Sequence, residues 1–365
     1  LDRKLILDIF CVRAHQRALS PMPAPRPFAL GTFDAGSGPF AGMVLDDRVI
    51  ALDDHLGSAT SLRQLLEDWE VSLARLQDLA NRVADGDGRP IDELRPLAPI
   101  QPPGQIFQAG ANYRQHVLDL MEGAERRGDR SDGMTSVGRH QMREGLDHDQ
   151  SNGQPFVFMG SAHAMVGACD DVIIPAETEQ PDWELELAAV IGRQARRVSS
   201  EQALEAVAGY MICNDVTSRD ALHRSDARGL GLDWLAGKNS PTFLPAGPWF
   251  VPAVHIRDPM DLAITLKVNE RVMQDASTAD MIFDVSRLIA YISTIAELRP
   301  GDLVLTGSPA GNGASHGVFL APGDVMHGTI TGLGAQTNHC VADPATSAAG
   351  NGRAHSTPTV NGQTA

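Results

Sequence analysis

Carboxylates recur at a spacing of two in Asp182-Trp-Glu-Leu-Glu-Leu-Ala-Ala-Val-Ile-Gly192. Residues two apart on a strand share a face, so Glu184 and Glu186 project side by side, with Asp182 on the same side. Trp183 and Leu185 take the opposite face, and the run from Leu187 to Ile191 reads as a buried strand. Two acids packed beside a core strand repel each other and lose hydration, a cost that a cation offsets. The alternative at this point is a solvent-facing edge strand with lysine or arginine partners. Further along, Gly209-Tyr-Met-Ile-Cys-Asn-Asp-Val-Thr-Ser-Arg-Asp220 forms a second apolar strand that delivers Asp215 at its end. Three carboxylates make an all-oxygen set for a hard divalent cation. Mg²⁺ suits it best, with Mn²⁺ or Ca²⁺ as further options. Zinc does not fit, because no Cys or His residues cluster at ligand spacing.

Other residues could supply proton and charge chemistry. In Asn112-Tyr-Arg-Gln-His116, running into a helix, His116 and Asp119 lie three apart, where a carboxylate can orient an imidazole. The plainer alternative is a pair on the helix surface. Arg219 falls one turn beyond Asp215 and either faces the acids or pairs with Asp220 or Glu205. Lys238 sits in the loop Trp234-Leu-Ala-Gly-Lys238-Asn-Ser-Pro-Thr-Phe-Leu-Pro-Ala-Gly-Pro248, where a lysine is ordinarily solvated. Thr306-Gly-Ser-Pro-Ala-Gly-Asn-Gly313 lacks the lysine of a phosphate-binding loop, and no helix is evident after it. It reads as main-chain amides and a hydroxyl gripping a substrate carboxylate.

Five of these segments follow one another in a recognisable order: Asn-Tyr-x-x-His, Glu-x-Glu, Asn-Asp-x-x-x-Arg-Asp, the lysine ahead of Phe-x-Pro-x-Gly-Pro, and Thr-Gly-Ser-Pro-x-Gly. In that order the chain, from about residue 100 to 340, resembles the fumarylacetoacetate hydrolase family. The resemblance implies a divalent metal on Glu184, Glu186 and Asp215, a water-activating dyad of His116 and Asp119, and catalytic Lys238 and Arg219. It further implies substrate contacts from Tyr113, Lys238, Thr306 and Gly307. Three positions depart from the family pattern: Asp119 stands for a glutamate, Gly160 for a lysine, and Leu222 for a glutamine. The implied activity is metal-dependent hydrolysis of a C–C bond in a 2,4-diketo acid, acylpyruvate or fumarylacetoacetate-like, through an enolate at the metal. The alternatives are a decarboxylase, isomerase or hydratase/dehydratase on a related 2-oxo acid of aromatic catabolism, or a non-catalytic metal-binding homologue. The family usually forms homodimers, which is the expectation here.

The elements that must position these groups follow from pattern and punctuation. The chain has 365 residues, ample for a large core. A formal charge of −16 argues against nucleic acid or an anionic membrane as partner. Four dispersed cysteines without a CxxC motif favour a reducing, cytoplasmic setting. No stretch is long and apolar enough to cross a bilayer. Residues 1–26 are an extension with no assigned role, and residues 27–99 form a small N-terminal α/β domain. In it, Ser61 and Gln64 make a capping box before Leu62, Leu65, Leu66 and Trp69, and a second helix spans 72–83. Residues 100–341 form the catalytic domain, with the charged, glycine-containing stretch 123–152 as a lid; residues 342–365 are a disordered tail. Ser199 opens a helix that stops at Gly209, Asn269-Glu270 turns a hairpin, and Asp284 caps a helix with Val285, Leu288, Ile289 and Ile292 inward. The fold expected is α+β and mainly β: a mixed β-sandwich roll with peripheral helices.

Overall fold

The computed structural model describes residues 26–57, 61–127, 153–222 and 231–344. The N-terminal extension up to residue 25, most of the expected lid and the tail beyond 344 lie outside the described residues. The first lid residues complete the helix Arg114–Arg127.

Strands dominate, and the fold is α+β with two main sheets. The larger has twelve strands, in the path Arg89–Pro90, Arg48–Ala51, Pro39–Leu45, Ala29–Asp34, Leu244–Pro252, Val207–Asn214, Leu185–Ile191, Leu303–Leu305, Ile106–Gly110 and Phe156–Gly160. Arg95–Leu97 and Met165–Gly167 attach beside it. The hairpins of residues 27–99 therefore continue this sheet, with Leu30 paired to Phe250, and hydrogen bonding runs across the position expected as a domain boundary.

A five-stranded sheet, in the order Arg271–Ser277, Ala263–Val268, Val325–Ile330, Gly334–Ala342 and Val172–Ile174, packs against it. Gly328 makes the close approach possible, since a Cβ there would lie 2.6 Å from Leu185. Buried Gln336 ties the sheets together by donating to the carbonyls of Ile212, Pro245 and Gly247 at 3.1–3.2 Å.

The strand Leu185–Ile191 is buried on both faces, which explains its unbroken apolar run. Leu185, Leu187, Ala189 and Ile191 enter the core between the sheets. Ala188 and Val190 enter a second core, roofed by the helices Leu62–Glu67 and Trp69–Arg82. Glu184 and Glu186 continue that second face beyond its apolar end. The strand begins at Leu185, not at Asp182: Pro181–Asp182 is a separate two-residue strand paired with Thr217–Ser218.

Local signals fix much of this frame. Ser61 and Gln64 form the reciprocal capping box, and Asp284 accepts from the amide of Arg287 at the start of Val285–Ile295. Asn269, with φ of 53°, turns the tight hairpin between Val268 and Arg271. Gly209 is no helix stop. The helix from Ser200 ends at Ala203, and Gly209 lies within a strand, where a Cβ would meet the carbonyl of Val251 at 2.2 Å. No helix among the described residues is long and apolar enough to cross a membrane.

Candidate metal centre and active site

Glu184, Glu186 and Asp215 converge from two adjacent antiparallel strands, with their ligand oxygens all within 4.8 Å of one another. All three are buried. Burying like charges together raises the energy of the ionised forms. Glu186 is accordingly pushed well above the usual carboxylate range by burial, then by Asp215 and Glu184. Asp215 is pushed up to about 6 by burial, with Lys238 opposing and Glu184 adding to the shift. Burial acts on Glu184 too, but Arg219 and Lys238 overcome it and hold that carboxyl well below its ordinary range.

Two cations stand among these acids. Lys238, at the end of the short helix Trp234–Lys238, is buried, bonds Glu184 and reaches Asp215 Oδ2 at 2.5 Å. Arg219 bonds Asp182 Oδ2 at 2.9 Å and Glu184 Oε1 at 2.5 Å. It thus faces the site, while Asp220 accepts from Thr178, Glu179 and Gln180, and Glu205 pairs with Arg193. With all four ionised, Asp182, Glu184, Glu186 and Asp215 outnumber these two cations by two negative charges, which is why burial opposes ionisation of Glu186 and Asp215 while no metal is bound. A hard divalent ion supplies that missing charge, and the all-carboxylate donors match its chemistry. The residues present fit such a cation.

Several side chains serve the acids rather than a substrate. Gly307 N–H donates to Glu186 at 2.8 Å, and Thr306 gives both its N–H and its hydroxyl to the Leu187 carbonyl. Thr306 and Gly307, expected as substrate contacts, thus direct these donors to the acidic strand, while Ser308 of the same loop lines the cavity. Tyr113, expected as a substrate contact, is fully buried in the core between the sheets. A one-turn helix, Gly313–His316, does follow the loop. The amides of Gly313 and Ala314 bind Asp182, drawing it away from the metal set.

His116 is buried, and burial lowers its pKa to about 4, with Glu184 partly opposing the shift. The imidazole is thus neutral near pH 7, the form that accepts a proton. Its Nδ1 has no hydrogen-bond partner among the described residues. Asp119, expected as the partner of His116 in a dyad, accepts from Gln115 at 2.8 Å and acts on His116 through its charge. The shorter aspartate is held by its neighbour on the same helix.

Two polar contributors escape a reading of motifs. Gln108 Nε2 donates to Asp215 Oδ1 at 2.5 Å, and Asn312 donates to Glu184 at 3.2 Å and to the Trp183 carbonyl. A lone glutamine in the apolar run Ile106-Phe-Gln-Ala-Gly110 is the one signal for the first. Gly160 gives Gln108 its room, because a Cβ there would stand 2.4 Å from Gln108 Oε1. The site opens into a cavity of about 690 Å³ lined by His116, Glu184, Arg219, Lys238, Ser308 and a set of apolar side chains.

Comparisons with known proteins agree with this geometry. The C-terminal domain of fumarylacetoacetate (FAA) hydrolase matches residues 105–341. A 2,4-didehydro-3-deoxy-L-rhamnonate hydrolase from Sphingomonas sp. is 36% identical over 267 residues, covering 70% of this chain and 89% of the relative. A mitochondrial oxaloacetate tautomerase from Bos taurus is 33% identical over 255 residues, covering 69% and 71%. Among solved structures, maleylpyruvate hydrolase from Sphingobium sp., in complex with manganese(II) and pyruvate, superposes with a TM-score of 0.64 at 25% identity, covering 86% of this chain and 99% of that one. With the match spanning most of the chain and both strands that lead to the acids, this protein belongs to the fumarylacetoacetate hydrolase family.

Proposed function

We propose that the protein is a divalent-metal-dependent hydrolase that cleaves the C–C bond of a 2,4-diketo acid. The observation that carries this reading is the meeting of three buried carboxylates, a neutral His116, Lys238 and Arg219 at one cavity. Glu184, Glu186 and Asp215 would hold Mg²⁺ or Mn²⁺. When bound, such a cation supplies Lewis-acid polarisation of the 2-oxo acid oxygens. A relative solved with manganese(II) and pyruvate supports that choice of metal class and ligand.

The chain's own groups account for the remaining steps. Neutral His116 takes a proton from water, and the hydroxide oxygen bonds to the distal carbonyl carbon. The C–C bond then breaks. Its electron pair becomes an enolate, and the proton held on His116 passes to carbon, giving a carboxylic acid and a shorter 2-oxo acid. Lys238 and Arg219 offset the negative charge that develops. Hydrolysis of acylpyruvates with Mg²⁺ in H₂¹⁸O tests this: ¹⁸O should enter the new carboxylate.

A second reading is tautomerisation or isomerisation of a 2-oxo acid, which needs a proton carrier but no attacking water. The pairing of Asp119 with Gln115 favours it, since no carboxylate among the described residues is bonded to His116 Nδ1 to orient it as a water-activating base. Proton exchange at C3 with no ¹⁸O in the product would select that reading.

A further inference from the structure

From the cavity wall, and resting on the 2-oxo acid reading above, we infer that the substrate's distal end is an uncharged aryl or bulky alkyl group. The charged lining residues among those described are Glu184, Arg219 and Lys238. Glu184 and Lys238 are buried, and Arg219 is largely covered, so this charge sits at the floor. The wall leading outwards is aromatic. Phe158 and Trp234 stack with centroids 4.2 Å apart at 21°, and Phe156 closes on Trp234 at 5.4 Å. Phe156 is 54% exposed and Leu232 is 40% exposed, which places this end at the mouth.

The wall and the floor are tied together by sequence. Trp234 and Lys238 are the first and last residues of one short helix, four apart and so on one face. The Phe158 ring bridges them, stacked on Trp234 and 5.7 Å from Lys238 Nζ. A ligand whose oxo-acid head lies at the floor therefore runs its other end along Phe158, Trp234 and Phe156, with Leu222 on the same cavity. A distal carboxylate on that wall would lose hydration with no cation among the described residues to receive it, whereas an aryl group gains stacking and apolar burial. Gly160, at the end of the strand Phe156–Gly160, adds no side chain to this wall, and the side chain beside it is the neutral Gln108.

The test uses the full-length protein loaded with Mg²⁺ and matched 2,4-dioxo acids ending in phenyl, methyl or carboxylate. The phenyl substrate should exceed the carboxylate one at least about tenfold in kcat/KM, in line with differences of this kind in apolar pockets. Phe156→Ala and Trp234→Ala should each lower the phenyl-to-methyl ratio several-fold, chiefly through KM, and Phe156→Lys should shift preference towards the carboxylate. Binding of phenylpyruvate and 2-oxoglutarate, neither a 2,4-dioxo acid, is measured alongside by calorimetry. Tighter binding of phenylpyruvate without turnover of any dioxo acid would uphold the wall and sink the hydrolase reading. Equal or better turnover of the carboxylate-ended substrate would overturn the inference.

Discussion

Two regions of this molecule bury carboxylates, and they treat them in opposite ways. Asp302, beside the strand Leu303–Leu305, is 2% exposed and accepts from the amides of Gln105 and Arg299 at 2.7 and 2.8 Å and from the Gln105 side chain at 2.9 Å. Its oxygens are satisfied by neutral donors from its own surroundings, and it stitches two loops together. Glu186 receives one amide, and Asp215 has Gln108 but shares Lys238 with Glu184. Neutral donors in sufficient number make a buried acid a structural clasp. Acids crowded together with too few donors sit at a cost that a cation relieves, and the shortage itself marks the functional site.

The contrast can be broken by substitution. The largest effect should come from His116→Ala, which removes the proton acceptor without touching the carboxylates: kcat should fall about 10²–10⁴-fold with cation affinity nearly unchanged. Loss of cation binding, seen by calorimetry, would place His116 among the ligands instead. Asp302→Ala should cost about 3 kcal/mol of stability, near a hundredfold in the folding equilibrium, because it orphans buried amides. Denaturant titration reads this, with activity per folded molecule retained.

Glu186→Gln should do the reverse. In the cation-free protein it removes a buried carboxyl that ionises only at a cost and so raises Tm, while weakening Mg²⁺ or Mn²⁺ about tenfold to hundredfold, by analogy with losses around metal sites. A fall in cation-free Tm would show that Glu186 acts like Asp302. Acidity gives a smaller effect. With Asp215 pushed up to about 6, a proton occupies it at lower pH and must leave when the cation binds. Affinity should therefore decline as pH falls through 6, by up to about tenfold per unit for each proton displaced. The smallest effect is expected at Asp119, whose partner is Gln115. Asp119→Asn should change kcat less than about twofold, well below the range for a working general base; a larger loss would restore the dyad.

What could be read from the chain divides along a physical line. Short-range chemistry was legible: the Ser61 box, the Asn269 turn and the Asp284 cap depend on residues within a few positions of one another. The trio of acids was legible because period two on a strand fixes which side chains share a face. Asp182 shows the limit, since its strand breaks before Leu185 and the amides of a one-turn helix claim it. Gln108 meets Asp215 across 107 residues, and the hairpins of residues 27–99 join the large sheet through a strand that lies far along the chain. Such meetings depend on topology, which local pattern does not encode. The Thr306 loop is ambiguous in sequence because amides aimed at an acid on the chain and amides aimed at an acid on a ligand have the same sequence signature.

Gly160 also constrains the history open to this chain. Any side chain there must displace Gln108, whose carboxamide is held by Asp215 and buried on every side. Placing a lysine at 160 in one step thus damages the acid set before the new group can serve it. The tolerated path changes Gln108 to a small residue first, and that first step forfeits a contact with nothing gained. The pair behaves as a ratchet: each residue is acceptable only beside the other, so neither is readily changed one substitution at a time.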